Sequence, residues 1–155
     1  MQRDTVNDDL KDLAFDFFYW FSRFEFALKE NGLVRAGPYN SAQADWNIFI
    51  SMFELNYQID IAAQELLDNP PDVQVVEYGS TWRWAPLVFS PGQSDLFRIT
   101  LIVKTIRNNL FHGGKHDAAG WDNPIRVKFL LSRGIRVLNA FAVLAGYQAD
   151  YERRY

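Results

Sequence analysis

The sequence predicts an all-α protein, an antiparallel four-helix bundle with a β-hairpin-like insertion between its second and third helices. The chain of 155 residues has the size of one domain. Its residues are 48% hydrophobic and include 13 Phe, 7 Tyr and 5 Trp, enough to bury a sizeable interior. Four long stretches repeat apolar residues at helical spacing, without an internal repeat or a linker between them. We therefore expect a single domain over 1–155, with the insertion at about 70–95.

The first helix is predicted over 8–30, where Asn31-Gly32 ends it because glycine readily adopts the left-handed conformation of a helix cap. A second apolar line makes this helix apolar around most of its circumference, which is more surface than one packing partner can cover. We therefore expect the helix at the centre of the bundle or at a dimer interface. The core-facing line is Leu10, Leu13, Ala14, Phe17, Phe21, Phe24 and Leu28, and the second line is Phe15, Tyr19 and Phe26.

The second helix is predicted to run for nearly 30 residues from Ser41, a suitable N-cap, to the break at Asn69-Pro70-Pro71. Its length matches the later helices well enough for an antiparallel bundle. Its core-facing residues would be Trp46, Phe49, Ile50, Phe53, Tyr57, Ile61 and Leu67.

The stretch 70–95 breaks the helical pattern with four prolines and two glycines. An alternating pattern predicts strands over 73–78 and 81–84 around a two-residue turn at Gly79-Ser80, with Val75 and Trp84 on one face. The aromatic residues of this hairpin admit two interpretations. They could stack on nucleic-acid bases, or they could cap one end of the core. These residues are Tyr78, Trp82 and Trp84.

The third and fourth helices have clear end signals. Ser94 is the N-cap candidate of the third helix, and Gly113-Gly114 is expected to end it. The fourth helix begins at Asn123-Pro124, a cap followed by a first-turn proline. The residues predicted to face inward are Leu96, Ile99, Val103, Ile106 and Leu110 on the third helix, and Val127, Leu130, Leu131, Ile135, Leu138, Phe141 and Ala145 on the fourth.

Charge is distributed unevenly along the chain. Residues 1–95 carry 6 Lys or Arg against 15 Asp or Glu, a net charge of −9, whereas residues 96–155 carry 10 against 4, a net charge of +6. This asymmetry is typical of a protein with one surface that meets a polyanion. It would equally arise if acidic and basic helices lie side by side and attract one another.

The composition also excludes several classes of protein. The absence of cysteine excludes disulfides, thiolate nucleophiles and cysteine-bound metal centres, and two histidines leave little for a metal site. No apolar run reaches the roughly 20 residues of a membrane span, and the acidic start is unlike a signal peptide. We therefore expect a cytoplasmic protein without a metal or an organic cofactor.

The residues with the clearest chemical potential stand at the end of the third helix. The segment Arg107-Asn108-Asn109-Leu110-Phe111-His112 combines a guanidinium, an amide and an imidazole. Asn108 and His112 are one helical turn apart, so the amide is expected to hydrogen-bond the ring, while Arg107 and His112 would flank a groove. A purely structural interpretation also exists, because cations at a helix C-terminus are favoured by the helix dipole.

This segment resembles the signature of the HEPN superfamily of all-α nucleotide-binding domains, which is Arg, four to six residues and then His, often with a polar residue after the Arg. The resemblance implies a metal-independent endoribonuclease that works as a homodimer, with the two motifs meeting in a cleft at the subunit interface. Many such domains are toxins or phage-defence effectors with an antitoxin or another regulatory partner. The similarity covers the helical frame, about 8–69 and 94–148, but only Arg107 to His112 is specific.

Side-chain chemistry is consistent with this activity. A ribose 2′-hydroxyl can attack the adjacent phosphorus, so the protein needs only proton transfer and charge stabilisation. We assign His112 as general acid–base, Arg107 as the phosphate and transition-state clamp, and Asn108 as a residue that orients them. The candidate substrate-binding residues are Lys115, Asn109 and His116, of which Lys115 and His116 would otherwise be merely solvated.

Two other functions stay open from the sequence. The aromatic excess of the first helix would suit a non-catalytic protein-interaction module in a toxin–antitoxin or defence complex. A domain that binds a nucleotide without hydrolysing RNA is the third interpretation.

Overall fold

The computed structural model describes residues 8–79, 81–112 and 123–153. Within them the chain forms six α-helices and two small antiparallel sheets, which confirms the mainly helical class. None of the described helices is both long enough and apolar enough to span a membrane. The elements in chain order are α1 (Asp8–Glu30), β1 (Val34–Ala36), β2 (Ala42–Ala44), α2 (Trp46–Phe53), α3 (Ile61–Asp68), β3 (Asp72–Val76), β4 (Trp82–Pro86), α4 (Asp95–His112), α5 (Pro124–Ala145) and α6 (Gln148–Glu152).

Three of the predicted helix ends are confirmed by their capping geometry. Gly32 follows α1 with φ of 80°, a left-handed conformation that side chains other than glycine adopt at a cost. The Ser94 hydroxyl accepts a hydrogen bond of 3.3 Å from a backbone N–H in the first turn of α4. The Asn123 side chain accepts from two backbone N–H groups of the first turn of α5. These three caps mark the end of α1 and the starts of α4 and α5.

The predicted second helix is wrong, because residues 41–69 form two short helices separated by a non-helical segment. Asp45, not Ser41, caps α2, and its carboxylate accepts from the N–H groups of Asn47 and Ile48. Asp60 caps α3, and its side chain accepts from the N–H of Ala63 at 2.7 Å. An Asp that binds the N–H groups of the following turn begins a new helix, so the continuous apolar line does not correspond to a continuous helix.

The prediction of an antiparallel bundle is also wrong, because α1 and α5 run in the same direction. Lys128 near the start of α5 lies 3.7 Å from Asp9 near the start of α1, and the ring of Phe141 lies 5.8 Å from that of Phe24 further along both helices. By contrast, α3 is antiparallel to α5, since Arg126 near the start of α5 donates to the carbonyl of Asn69 just after α3, and Arg133 further along α5 pairs with Glu65 in the middle of α3.

The α1–α4 pair is antiparallel. The ring of Phe111, in the last turn of α4, contacts that of Phe18 in the first half of α1. Earlier in α4, the Arg107 guanidinium lies 5.8 Å from the ring of Phe21. Since α3 and α4 therefore share one direction, residues 69–94 carry the chain back along the molecule between them.

A hairpin of β1 and β2 was not predicted. Val34 pairs with Ala44, and the turn contains two successive left-handed residues, Tyr39 and Asn40, with φ of 56° and 58°. Such turns match the twist of the strands they join. Because the strands have only three residues each, the sequence offers no alternating pattern long enough to indicate them.

The second hairpin lies inside the predicted insertion, but with a different register. The strands β3 and β4 pair Gln74 with Trp84 and Val75 with Arg83. Val75 and Trp84 therefore point to opposite faces, contrary to the prediction. The loop is also longer than the predicted two-residue turn, because the N–H of Glu77 donates to the carbonyl of Thr81 at 2.8 Å.

Aromatic side chains form the centre of the core. Phe24 is fully buried, and its ring centroid lies 5.1 Å from that of Trp46 and 5.3 Å from that of Phe49. The ring centroids of Phe141 and Tyr151 lie 5.8 and 6.3 Å from it. One ring of α1 therefore joins α2, α5 and α6, and the core-facing line predicted for α1 is buried or half-buried as expected.

Ion pairs connect the acidic and basic halves of the sequence. Arg133 pairs with Glu65, and Lys128 lies 3.7 Å from Asp9. Some of the acidic and basic side chains are therefore paired between neighbouring helices.

Gly134 allows α1 and α5 to approach closely, and we predict that Gly134→Ala destabilises the protein. A Cβ at this position would lie 2.6 Å from Cε2 of Phe17. Alanine would gain about 1 kcal/mol of helix propensity, but forcing extra volume into a packed core costs about 1–3 kcal/mol. Urea unfolding should therefore show a lower midpoint.

A double variant provides the control. Phe17→Leu shortens the opposing side chain, so Gly134→Ala should cost less in that background than in the wild type. A stabilising effect of Gly134→Ala in the wild-type background would contradict the close packing of these helices.

Candidate functional site

The predicted catalytic segment forms the last turn and a half of α4. Arg107 is half-buried, and its Nη1 donates to Oδ1 of the exposed Asn108 at 3.1 Å. The guanidinium carbon lies 5.2 Å from the ring centroid of Phe111 and 5.8 Å from that of Phe21. The neighbouring amide and the two aromatic rings therefore restrict the position of the guanidinium.

The Arg107 guanidinium makes no ion pair with a carboxylate anywhere in the described part of the chain. Its Nε is buried and has no hydrogen-bond partner among the same residues. A guanidinium has five N–H donors, and only one is used in a hydrogen bond here. The charge of Arg107 is thus not neutralised within the described residues.

The position of His112 is only partly described. His112 is the last residue of α4 and directly follows Phe111, but its side chain lies outside the described part of the structure. The predicted hydrogen bond between Asn108 and His112 therefore stays a prediction. Lys115, His116 and the Gly113-Gly114 pair also lie outside the described residues.

Asn109, a candidate substrate-binding residue, makes a contact within the fold. The residue is 6% exposed, and its Nδ2 donates to the backbone carbonyl of Asp72 at 2.7 Å. This bond ties α4 to the start of β3. Because the amide donor is used within the fold, Asn109 positions the hairpin against the helix.

Arg107 also lines a cleft between α1, α4 and the β1–β2 hairpin, which has a volume of about 270 Å³. We call it the basic cleft, because Lys29, Arg35, Lys104 and Arg107 line it together with a single carboxylate, Glu25. Glu25 accepts a hydrogen bond from Nε1 of Trp46 at 3.0 Å. Four cations from three elements therefore share a cavity with one anion.

Sequence reasoning did not identify Lys29, Arg35 or Lys104 as site residues. Lys104 precedes Arg107 by three positions, so their shared side of α4 could have been inferred from helical spacing. Lys29 and Arg35 belong to the acidic half of the sequence, and only the fold brings them to the cleft.

Asn108 lines a second and smaller cleft on the other side of α4, with a volume of about 190 Å³. Its other walls come from Thr105 and Asn109 of α4 and from Val73 and Gln74 of β3. Arg107 and Asn108 are consecutive residues, so the end of α4 separates a cationic cleft from a neutral one.

The aromatic residues of the β3–β4 hairpin do not all fit one of the two interpretations, base stacking or core capping. Trp84 is half-buried and packs against the core, as a core-capping residue would. Tyr78 is fully exposed, Trp82 is 53% exposed, and the Trp82 and Trp84 ring centroids are 6.2 Å apart. Arg83 pairs with Glu77 at 2.8 Å. Two of the three rings thus have faces available to a ligand.

Apolar rings are also exposed beside Arg107. Phe15, Phe18 and Tyr19 lie on the side of α1 away from its core-facing line, and Phe111 of α4 contacts Phe18 with ring centroids 5.1 Å apart. These four residues, which we call the aromatic stripe, are between 40% and 65% exposed. Two of the three residues of the second apolar line of α1, Phe15 and Tyr19, are therefore exposed.

The structure and the comparisons leave the family open. Among residues 8–79, 81–112 and 123–153, no three His, Asp or Glu side chains are grouped so that they could hold a metal ion. No protein-family model, curated protein or solved structure matches this chain. The resemblance to HEPN domains therefore depends on the Arg107–His112 motif and on a mainly helical frame.

Proposed function

We propose that this protein is a HEPN-like, metal-independent endoribonuclease that cleaves single-stranded RNA in the cytoplasm. In this proposal His112 is the general acid–base, Arg107 clamps the phosphate that reacts, and Asn108 orients the two groups. The cellular role would be that of a toxin or a phage-defence effector, with an antitoxin as a possible partner.

The observation that carries the proposal is the state of Arg107. This guanidinium has no carboxylate partner among the described residues, opens onto a cleft lined by three further cations and stands five residues before His112 on one helix. Guanidinium groups bind phosphate oxygens through paired hydrogen bonds. An arginine placed to stabilise its own fold would instead be expected to pair with an acidic side chain.

The reaction needs two proton transfers and stabilisation of one additional negative charge. The 2′-oxygen loses its proton and bonds to phosphorus, and the 5′-oxygen of the next nucleotide leaves and gains a proton. The products are a 2′,3′-cyclic phosphate and a 5′-hydroxyl. Imidazole can accept or donate a proton near neutral pH, and the Arg107 donors stabilise the charge that develops on the phosphate oxygens.

We further propose a homodimer in which two copies of the motif share one crevice. The aromatic stripe supports this arrangement, because Phe111 lies beside Arg107 and the four exposed rings would be removed from water by a second subunit. Two His112 residues at such a seam would supply one base and one acid to the same reaction.

The aromatic stripe also favours a second candidate function. Exposed rings of this kind serve protein contacts equally well, so a non-catalytic interaction module in a toxin–antitoxin or defence complex would present the same surface. RNA cleavage separates the two functions.

The test incubates the purified protein with single-stranded RNA in EDTA, beside His112→Ala purified in the same way. We expect cleavage by the wild type and a rate at least about 10²-fold lower for the variant. Helix ends tolerate alanine, so the variant should show the same far-UV circular dichroism. Equal cleavage by both proteins, or none by either, would contradict the assignment.

A further inference from the structure

The basic cleft contains three cations that the proposed reaction does not use. Lys29 belongs to the last turn of α1, Arg35 to β1, and Lys104 to the middle of α4. None of them makes an ion pair with a carboxylate in the described part of the protein. With Arg107 and the single carboxylate of Glu25, the lining carries a formal charge of +3.

Lys104 shows most clearly that this lining is unfavourable without an anion. Burial lowers the pKa of its ammonium group, the positive charge of Arg35 acts in the same direction, and only Glu25 opposes them. A cation that is partly removed from water without an ion pair is unfavourable to the free protein. A bound anion would restore the interactions that the ammonium group loses.

A structural explanation accounts for only one of these residues. Lys29 lies in the last turn of α1, where a cation interacts favourably with the helix dipole. Lys104 is eight residues from the end of α4, and Arg35 is on a strand, so neither benefits from a helix end.

The cleft suits a compact, strongly charged anionic group, because it measures about 270 Å³ and its cations come from three elements. Phosphate oxygens accept hydrogen bonds from ammonium and guanidinium groups alike. The alignment of Lys104 and Arg107 along α4 also suits two successive anionic groups, as in a nucleic-acid backbone.

We propose that the basic cleft is a phosphate-binding site in which Lys29, Arg35 and Lys104 hold an RNA phosphate next to the one that Arg107 clamps. The identity of the molecule that carries the phosphate, and its place next to the reacting phosphate, rest on the proposed function. A free nucleotide or inorganic phosphate would offer the same chemistry, and the experiment below separates these sources. The site would position the strand without taking part in the chemical step.

The test measures fluorescence anisotropy of a labelled 12-nucleotide single-stranded DNA with the wild type, Arg35→Gln and Lys104→Met. DNA has the phosphates but lacks the 2′-hydroxyl, so binding is measured whether or not the protein cleaves RNA. We expect each variant to weaken binding about 3- to 10-fold at low salt and to reduce the slope of log K against log salt by about one. The control, Arg136→Gln, removes an exposed arginine of α5 outside the cleft and should change affinity less than about 2-fold.

Competition identifies the source of the phosphate. Inorganic pyrophosphate and adenosine monophosphate are added to the wild-type complex, and we expect each to displace the DNA only at millimolar concentration. Tight binding of either small anion with weak binding of DNA would overturn the assignment to a nucleic-acid phosphate. Equal affinities for the cleft variants and for Arg136→Gln would overturn the site itself.

Two further readouts separate binding from folding and from catalysis. Lys104→Met removes a poorly solvated charge and keeps a side chain of similar length, so its unfolding temperature should equal or exceed that of the wild type. If the wild type cleaves RNA, Lys104→Met should raise KM and leave kcat unchanged. A lower kcat with unchanged KM would contradict a positioning role.

Discussion

Arg107→Ala is expected to lower the rate of RNA cleavage by about 10²–10³-fold while the protein stays folded. In the proposed mechanism the guanidinium stabilises charge that develops only in the transition state, so the loss should appear in kcat more than in KM. Single-turnover kinetics with excess enzyme measures it directly. Arg107→Lys should recover part of the rate, because lysine keeps the charge but loses the paired hydrogen bonds.

A control substitution at a second arginine distinguishes a loss of catalysis from a general loss of positive charge. Arg136 is exposed on α5 and does not line the basic cleft, so Arg136→Ala should retain the wild-type rate within about 2-fold. Full activity of Arg107→Ala, or an equal loss in both variants, would contradict the role of Arg107 as the phosphate clamp.

Phe24→Ala is expected to lower the free energy of unfolding by about 3–5 kcal/mol. The side chain is fully buried and contacts the rings of Trp46, Phe49 and Phe141, so its removal leaves a cavity in the region where α1, α2 and α5 meet. This is a large part of the roughly 5–15 kcal/mol that stabilises a typical domain. Urea unfolding followed by circular dichroism measures the difference.

Tyr78→Ala provides the comparison for this loss. Tyr78 is a ring of similar size that is fully exposed on the loop of the β3–β4 hairpin. Its removal should change stability by no more than about 0.5 kcal/mol. If Phe24→Ala cost no more than Tyr78→Ala, the aromatic centre of the core would be placed incorrectly.

The fold was predictable where local chemistry decides the outcome. Gly32, Ser94 and Asn123 act within one turn of the chain, and the helix ends they predict are confirmed. The break between α2 and α3 was missed, although Asp60 is a recognisable cap, because the apolar spacing continues across it. The shared direction of α1 and α5 depends on the path of residues 69–94 across the molecule. No local sequence pattern predicts that path.

The site was predictable in part for the same reason. Arg107, Asn108 and His112 belong to one helix end, and sequence spacing relates them to one another. The basic cleft assembles Arg35, Lys104 and the end of α1 from distant parts of the chain, and no sequence motif marks it. The hydrogen bond from Asn109 to the backbone carbonyl of Asp72 likewise joins distant parts of the chain.

The chemical identity of the RNA ends shows whether the ribose 2′-hydroxyl is the nucleophile. Wild-type protein in EDTA is given a labelled single-stranded RNA and a matched strand with a single 2′-deoxyribose on the 5′ side of the main cleavage point. The proposed mechanism predicts 2′,3′-cyclic phosphate and 5′-hydroxyl ends from the first strand. It predicts no cleavage at the substituted position in the second strand. Cleavage at the deoxyribose, or 5′-phosphate ends, would show that the ribose is not the nucleophile.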